Sequence, residues 1–110
     1  MSARLPGTKY RTVFDRGRSV KGRLLVAWCY SAPDADQKAG VVVSRKSFRH
    51  AVDRNRAKRL LREAYRLIAK AGDAPPSTSW VFIGRAAMRG RSCGEVAEEM
   101  RRVMRRSSDG

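Results

Sequence analysis

Acid is scarce in this 110-residue chain: 10 Asp and Glu stand against 25 Lys and Arg, a formal net charge of +15. A small domain with that excess repels itself unless a polyanion neutralises it. Nucleic acid is the usual polyanion; an anionic membrane surface is the other. Long apolar runs are lacking too. No stretch approaches the roughly 20 apolar residues that span a bilayer, and Met1–Leu5 is not followed by an apolar signal-peptide core. A cytoplasmic protein with no membrane partner is therefore expected. Cysteine is down to two, Cys29 and Cys93, far apart and in no metal or redox spacing. Both read as apolar filler. Histidine is down to one, His50, which beside Arg49 reads as a phosphate or capping contact. The acids do not group into a hydrolytic site, which needs clustered carboxylates or an acid–base pair. Asp34 and Asp36 share a loop, Glu95, Glu98 and Glu99 share a helix start, and none stands with His50 in a recognisable pattern. A nuclease acting by itself is not expected, and no metal-ligating set of the protein's own can be read from the sequence.

What is present suffices for one core: apolar residues make up 42%, enough for a packed single domain over residues 1–110, with 1–8 and 107–110 as flexible tails. Tyr10, Val13 and Phe14 recur at i, i+3 and i+4, which predicts a helix over Lys9–Arg16, with Thr8 as its cap and Gly17 as a left-handed C-terminal residue. A further short strand fits around Ser19–Arg23. Leu24–Tyr30 and the β-branched run Gly40–Ser44 read as strands. They flank a polar loop, Ser31–Lys38, so a hairpin is the simple connection. His50–Ala69 reads as a long helix ending near Gly72, and a second loop follows over Gly72–Ser79. Trp80–Gly84 is another strand, with Trp28, Trp80 and Phe82 expected in the core and base stacking on the sheet as the alternative. Ser92-Cys93-Gly94-Glu95 has the form of a capping box. Val96, Met100, Val103 and Met104 then mark the buried stripe of a last helix. The order α-β-β-(β)-α-β-α predicts an α+β fold with helices on a small sheet.

The long helix concentrates the charge. Between Arg45 and Arg66 lie nine basic residues opposed only by Asp53 and Glu63. At about 100° per residue, Ala57, Leu60, Leu61, Ala64, Leu67 and Ile68 share one arc, and Arg54, Asn55, Lys58, Arg59, Arg62 and Arg66 the other. Like charges at i, i+4 cost stability, so the row Arg54, Lys58, Arg62 implies an external partner rather than a solvated face. Arginine forks suit phosphate oxygens, and Asn55 can address a 2′-hydroxyl or a base edge.

The ordered run Val42-Val43-Ser44-Arg45-Lys46, Arg49-His50-Ala51, Arg54-Asn55-Arg56-Ala57-Lys58-Arg59-Leu60-Leu61-Arg62-Glu63 resembles the signature of the bacterial ribonuclease P protein subunit. Val13-Phe14, Gly17, Val20, Gly22, Val81-Phe82-Ile83 and Arg85 extend the likeness over Tyr10–Arg106. Arg45 stands where the family often has Lys, a mild change for phosphate contact. The resemblance implies a small mixed sheet of ribosomal-protein-domain type with a left-handed β-α-β crossover. It also implies an endoribonuclease holoenzyme in which a catalytic RNA, using Mg²⁺, removes the 5′ leader of precursor tRNA. The protein would bind that RNA, most simply one to one, through Arg49, Arg54, Asn55, Arg56, Lys58, Arg59 and Arg62. It would hold the single-stranded leader with Tyr10, Arg11, Phe14, Arg18, Ser44, Arg45 and Lys46, in a cleft between the first helix and the sheet. By spacing alone Tyr10 and Phe14 are core; the resemblance moves at least one of them to the cleft. A structural ribosomal-like or RNA-chaperone protein would share the charge and the fold, but the signature helix and the aromatics of the first helix favour the ribonuclease P reading.

Overall fold

Three amphipathic helices and four short strands make up the computed structural model, which describes residues 5–33, 35 and 37–109. Asp34, Asp36 and the outermost parts of the expected tails, 1–4 and 110, lie outside the described residues. Helix α1 spans Gly7–Arg16, β1 Arg18–Lys21, β2 Leu25–Ser31, β3 Ala39–Val42, α2 Ala51–Lys70, β4 Thr78–Gly84 and α3 Cys93–Asp109, with a 3₁₀ turn at Ala86–Met88. The strand expected around Ser19–Arg23 is thus β1. Secondary structure and packing extend into the described parts of the ends: Leu5 is buried, its amide donates to the Ala39 carbonyl at 2.9 Å, and α3 runs to Asp109.

The strands form a mixed sheet in the order β1-β2-β4-β3, antiparallel except for the parallel pair β3–β4. The hairpin expected between Leu24–Tyr30 and Gly40–Ser44 does not form, because β4 lies between those strands. The reason is burial. Thr78–Phe82 is buried on both faces, which suits a central strand, and α2 supplies the long connection that a parallel neighbour requires.

Alternation along each strand divides the side chains between two layers. Leu25, Ala27, Cys29, Ala39, Val41, Trp80 and Phe82 join Ala57, Leu61, Ala64, Tyr65 and Ile68 of α2 and Val96, Met100, Val103 and Met104 of α3 in the main core. Trp80 and Phe82 stack with centroids 5.6 Å apart, as core residues. On the other face Val13 and Leu5 pack on Val81, with Tyr10, Phe14, Trp28, Tyr30 and Val42 at the margins. The buried arc of α2 is rotated from the expected one: Tyr65 is inside, whereas Leu67 is 40% exposed.

Local chemistry fixes the ends. The capping box of α3 is made, with the Glu95 amide donating to Ser92 Oγ at 3.2 Å and the Ser92 amide to Glu95 Oε1 at 3.1 Å. These bonds and Arg91 hold the Glu95 carboxyl below its usual range. Thr8 caps nothing; Pro6 occupies the N-cap of α1. Gly17 is extended (φ −86°, ψ −173°) rather than left-handed. It is needed for space, because a Cβ there would lie 2.3 Å from the Cys29 carbonyl oxygen. Glu99, expected only to charge a helix start, is 6% exposed and accepts the Arg23 and Leu24 amides, tying the β1–β2 turn to α3.

Candidate RNA interface

Two surfaces collect the predicted residues. The first begins where β3 ends. Ser44 closes a turn: the Ser47 amide donates to Ser44 Oγ at 3.2 Å and the Phe48 amide to the Ser44 carbonyl at 3.0 Å. Phe48, 2% exposed, anchors this turn, which leaves Arg45 and Lys46 in solvent at its tip. Arg49 and His50 follow, both exposed, and α2 starts at Ala51. His50 is the N-cap by backbone only; its ring makes no capping bond.

Along α2, Asn55, Arg56 and Arg59 are exposed and Lys58 and Arg62 half-buried. Arg54 departs from the outward reading. Its guanidinium folds back and donates to the Phe48 and Arg49 carbonyls, at 3.0 Å each. The projection explains why: three residues before Ala57, Arg54 falls about 60° from that buried position. Arg66 is paired with Glu63, whose carboxyl is held below its ordinary range by that hydrogen bond. The open face of α2 is therefore Asn55, Arg56 and Arg59, joined by Val52, which is 78% exposed and carried no signal as a lone apolar residue.

The second surface is the α1 face of the sheet. The Tyr10 hydroxyl accepts the Val41 amide at 3.1 Å, so Tyr10 seals the outer edge of β3. Phe14 is half-buried and meets Trp28 edge to face, centroids 5.4 Å apart and planes at 81°. Beside this pair the strand register sets Lys21, Val26, Ile83 and Val42 in one row across the sheet. Val26, Ile83 and Val42 are only half-buried. The row is an apolar floor with Lys21 at one end and the Ser44–Lys46 turn just beyond the other.

Two predicted cleft residues lie elsewhere. Arg18 pairs in register with Cys29, on the α3 side of the sheet, and its guanidinium donates to the Ser107 carbonyl at 2.7 Å. Arg11 is in solvent, 3.6 Å from Asp15. Trp28, expected in the core, lines the cleft instead. The run Leu24–Tyr30 is apolar throughout, so alternation could not say which parity stays open.

The arginines of α3 are largely engaged: Arg101 with Asp73, Arg102 with Glu99, Arg106 with the Lys21 carbonyl. Cys29 is buried against Ser107 and Cys93 is half-buried, its thiol pushed up by burial. Among the described residues no three His, Cys, Asp or Glu gather in a metal-holding group, and no helix is long and apolar enough to cross a membrane.

Comparison with known proteins identifies the family and the fold. A sequence model of the family described as Ribonuclease P matches residues 5–108. The ribonuclease P protein component of Clostridium kluyveri is 32% identical over 90% of this chain and 88% of its own length; that of Pelotomaculum thermopropionicum is 38% identical over 89% and 85%. The RNase P protein from Thermotoga maritima superposes with a TM-score of 0.78 at 25% identity, covering 94% of this chain and 96% of that one. The Staphylococcus aureus RNase P protein, 20% identical, shares the fold with a TM-score of 0.76 over 96% and 94%. The chain belongs to the bacterial ribonuclease P protein family and is the protein subunit of the ribonucleoprotein endonuclease that matures tRNA 5′ ends, with ribonuclease P RNA as its partner.

Proposed function

We propose that this subunit holds two RNAs at once. The exposed face of α2 around Asn55, Arg56 and Arg59, with Arg49, Lys58 and Arg62 on its flanks, docks on the catalytic RNA. Arg54 serves this surface by fixing the turn that leads into it. The cleft under α1 holds the single-stranded 5′ leader of precursor tRNA: Phe14 and Trp28 offer stacking surface, Tyr10 fixes the helix over the sheet, and Ser44, Arg45 and Lys46 meet the backbone. Arg11 adds charge from the solvent side of α1. One chain carries both surfaces, which supports one protein per catalytic RNA. The phosphodiester chemistry and its Mg²⁺ belong to the RNA; the protein supplies position and positive charge, in the cytoplasm where precursor tRNA is made.

The observation that carries the leader assignment is the half-buried Phe14–Trp28 pair beside an apolar floor with basic ends. Stacking on aromatics tolerates any base, as varied leaders require. In the test, the reconstituted holoenzyme binds precursor tRNA with and without a leader. Phe14→Ala is expected to cut the leader-dependent gain in affinity about 5- to 150-fold, the worth of one base–aromatic stack, while mature tRNA binds as before. An unchanged gain would defeat the cleft assignment. Cleavage by the protein without RNA would defeat the division of labour.

A further inference from the structure

A groove beside α2 shares Arg56 with the face described above, and the rest of its lining has no part in that reading. It lies between that helix and the 3₁₀ turn at Ala86–Met88, is open to solvent along one side, and offers about 500 Å³, inside the roughly 300–1,000 Å³ typical of small-molecule sites. Phe48, Ala57, Leu60 and Met88 form an apolar floor, Arg56 and Arg89 line it with exposed cationic side chains, and Asp53 faces in. Gly90 closes the turn in a left-handed conformation, φ +76°, so the far rim there is bare backbone.

Asp53 is the informative residue. It stands in the most basic segment of the chain, yet takes part in none of the five ion pairs of the described residues. Its place in the first turn suits the helix dipole, but the dipole does not require a carboxylate that lines a groove. A carboxylate repels phosphate and only accepts hydrogen bonds. The ligand at the floor must therefore be flat, apolar on its faces and rich in donors along one edge, with anionic groups outside for Arg56 and Arg89.

We propose that this groove takes an unpaired guanine of the catalytic RNA. Guanine presents two adjacent donors, N1–H and N2–H, on its Watson–Crick edge, which one carboxylate accepts together. Unpaired bases splayed out of their stack are what proteins read in RNA. The flanking phosphates would fall to Arg56 on one side and Arg89 on the other, each as a bidentate fork. The proposal rests on the docking of α2 on that RNA and extends that interface across the groove to the 3₁₀ turn.

The test uses the assembled protein–RNA complex. Ala86→Trp fills the groove from an exposed position, Arg89→Ala removes one rim cation, and Asp53→Asn spoils the acceptor pair; circular dichroism verifies that each is folded. Filter binding to the catalytic RNA is expected to weaken about tenfold for Ala86→Trp and about fivefold for Arg89→Ala, the loss of a stacked base and of one charge-assisted contact. Glyoxal probing, which modifies guanine at N1 and N2, is expected to find one guanine protected by the unsubstituted protein and reactive with Ala86→Trp and Asp53→Asn. If the unsubstituted protein binds but Ala86→Trp and Arg89→Ala stay within twofold of it, or if no guanine changes reactivity, the groove proposal is overturned and the α2 interface stands. If the unsubstituted protein does not bind the RNA, the α2 interface falls with it. Should Ala86→Trp not fold, Arg89→Ala and the probing with Asp53→Asn decide alone.

Discussion

The ring of Tyr10 rests directly on the backbone of Gly40: a Cβ at position 40 would lie 2.3 Å from Tyr10 Cζ and 2.4 Å from its hydroxyl oxygen. With that hydroxyl bonded to the Val41 amide and the Leu5 amide bonded to the Ala39 carbonyl, the free edge of β3 is covered at two points. An edge left open invites pairing with another chain. The contact also sets the height of α1 over the sheet, and so the depth of the cleft beside Phe14. Gly40→Ala is expected to cost about 1–3 kcal/mol by overpacking, measured by urea denaturation. The double variant Gly40→Ala/Tyr10→Ala should cost clearly less than the sum of the singles, since both act on one contact. Strict additivity would show that the ring can move aside freely.

Arg54 and Arg56, two residues apart in the signature, should separate in their effects. Arg54 satisfies two carbonyls of the turn before α2, whereas Arg56 is exposed. Arg54→Ala is expected to lower stability by about 1–2 kcal/mol and to weaken RNA binding as the turn loosens. Arg56→Ala should leave the denaturation midpoint in place, weaken binding to the catalytic RNA, and reduce the slope of log K against log salt by about 1. For ~6 phosphates in the interface, the parent slope is about −4 to −5. A flat parent slope would mean that the charge of α2 is not at the RNA.

How much of this was legible follows from where each signal resides. The spacing of Val96, Met100, Val103 and Met104, and the Ser92–Glu95 box, are local patterns, and the fold keeps them as read. The ordered signature marked the family because its spacing is also local. The strand order was hidden, since no feature of Leu24–Tyr30 or Gly40–Ser44 says that a segment nearly forty residues on, Thr78–Gly84, will slide between them. The position of Trp28 was hidden for the same reason: which parity of a wholly apolar strand stays open depends on how far α1 reaches across the sheet. Arg18 is placed in the cleft by the resemblance alone, whereas its register with Cys29 sets it on the α3 side of the sheet; Arg54 stands near the edge of the buried arc, and its long side chain bends back to two carbonyls, which helix spacing does not report.

Glu99 gives a prediction of a different kind, because it binds backbone rather than a charged partner alone. Its carboxylate receives the Arg23 and Leu24 amides and an ion pair from Arg102. Close beneath lies Gly22, where a Cβ would stand 2.7 Å from Glu99 Oε2. Glu99→Ala leaves the buried Leu24 amide and the part-buried Arg23 amide without their acceptor, and the expected loss is about 1–3 kcal/mol in urea denaturation, chiefly the cost of the one unsatisfied buried donor. Arg102→Ala removes only the exposed partner of the pair and should cost under about 1 kcal/mol. Equal losses from the two substitutions would mean that the ion pair, not the backbone staple, holds the β1–β2 turn to α3.

Tyr65 links the core to alkaline stability. Its ring packs against Phe82 at 5.8 Å, and its buried hydroxyl has no hydrogen-bond partner. Burial pushes its pKa up from 10.0 to about 12. The folded chain therefore keeps the phenolic proton over a range where the unfolded chain releases it. The resulting stability is fully present below pH 10 and is lost as pH rises through about 12, a span worth roughly 3 kcal/mol at 1.36 kcal/mol for each unit. Tyr65→Phe has no proton to lose, so its stability should decline less steeply across pH 10–12 than that of the unsubstituted protein. At pH 7 it should be neutral or slightly stabilising, because an unpaired buried hydroxyl is removed. Urea denaturation at pH 7 and at steps from pH 9.5 to 12 tests both points; parallel declines would show that the hydroxyl reaches water in the folded state.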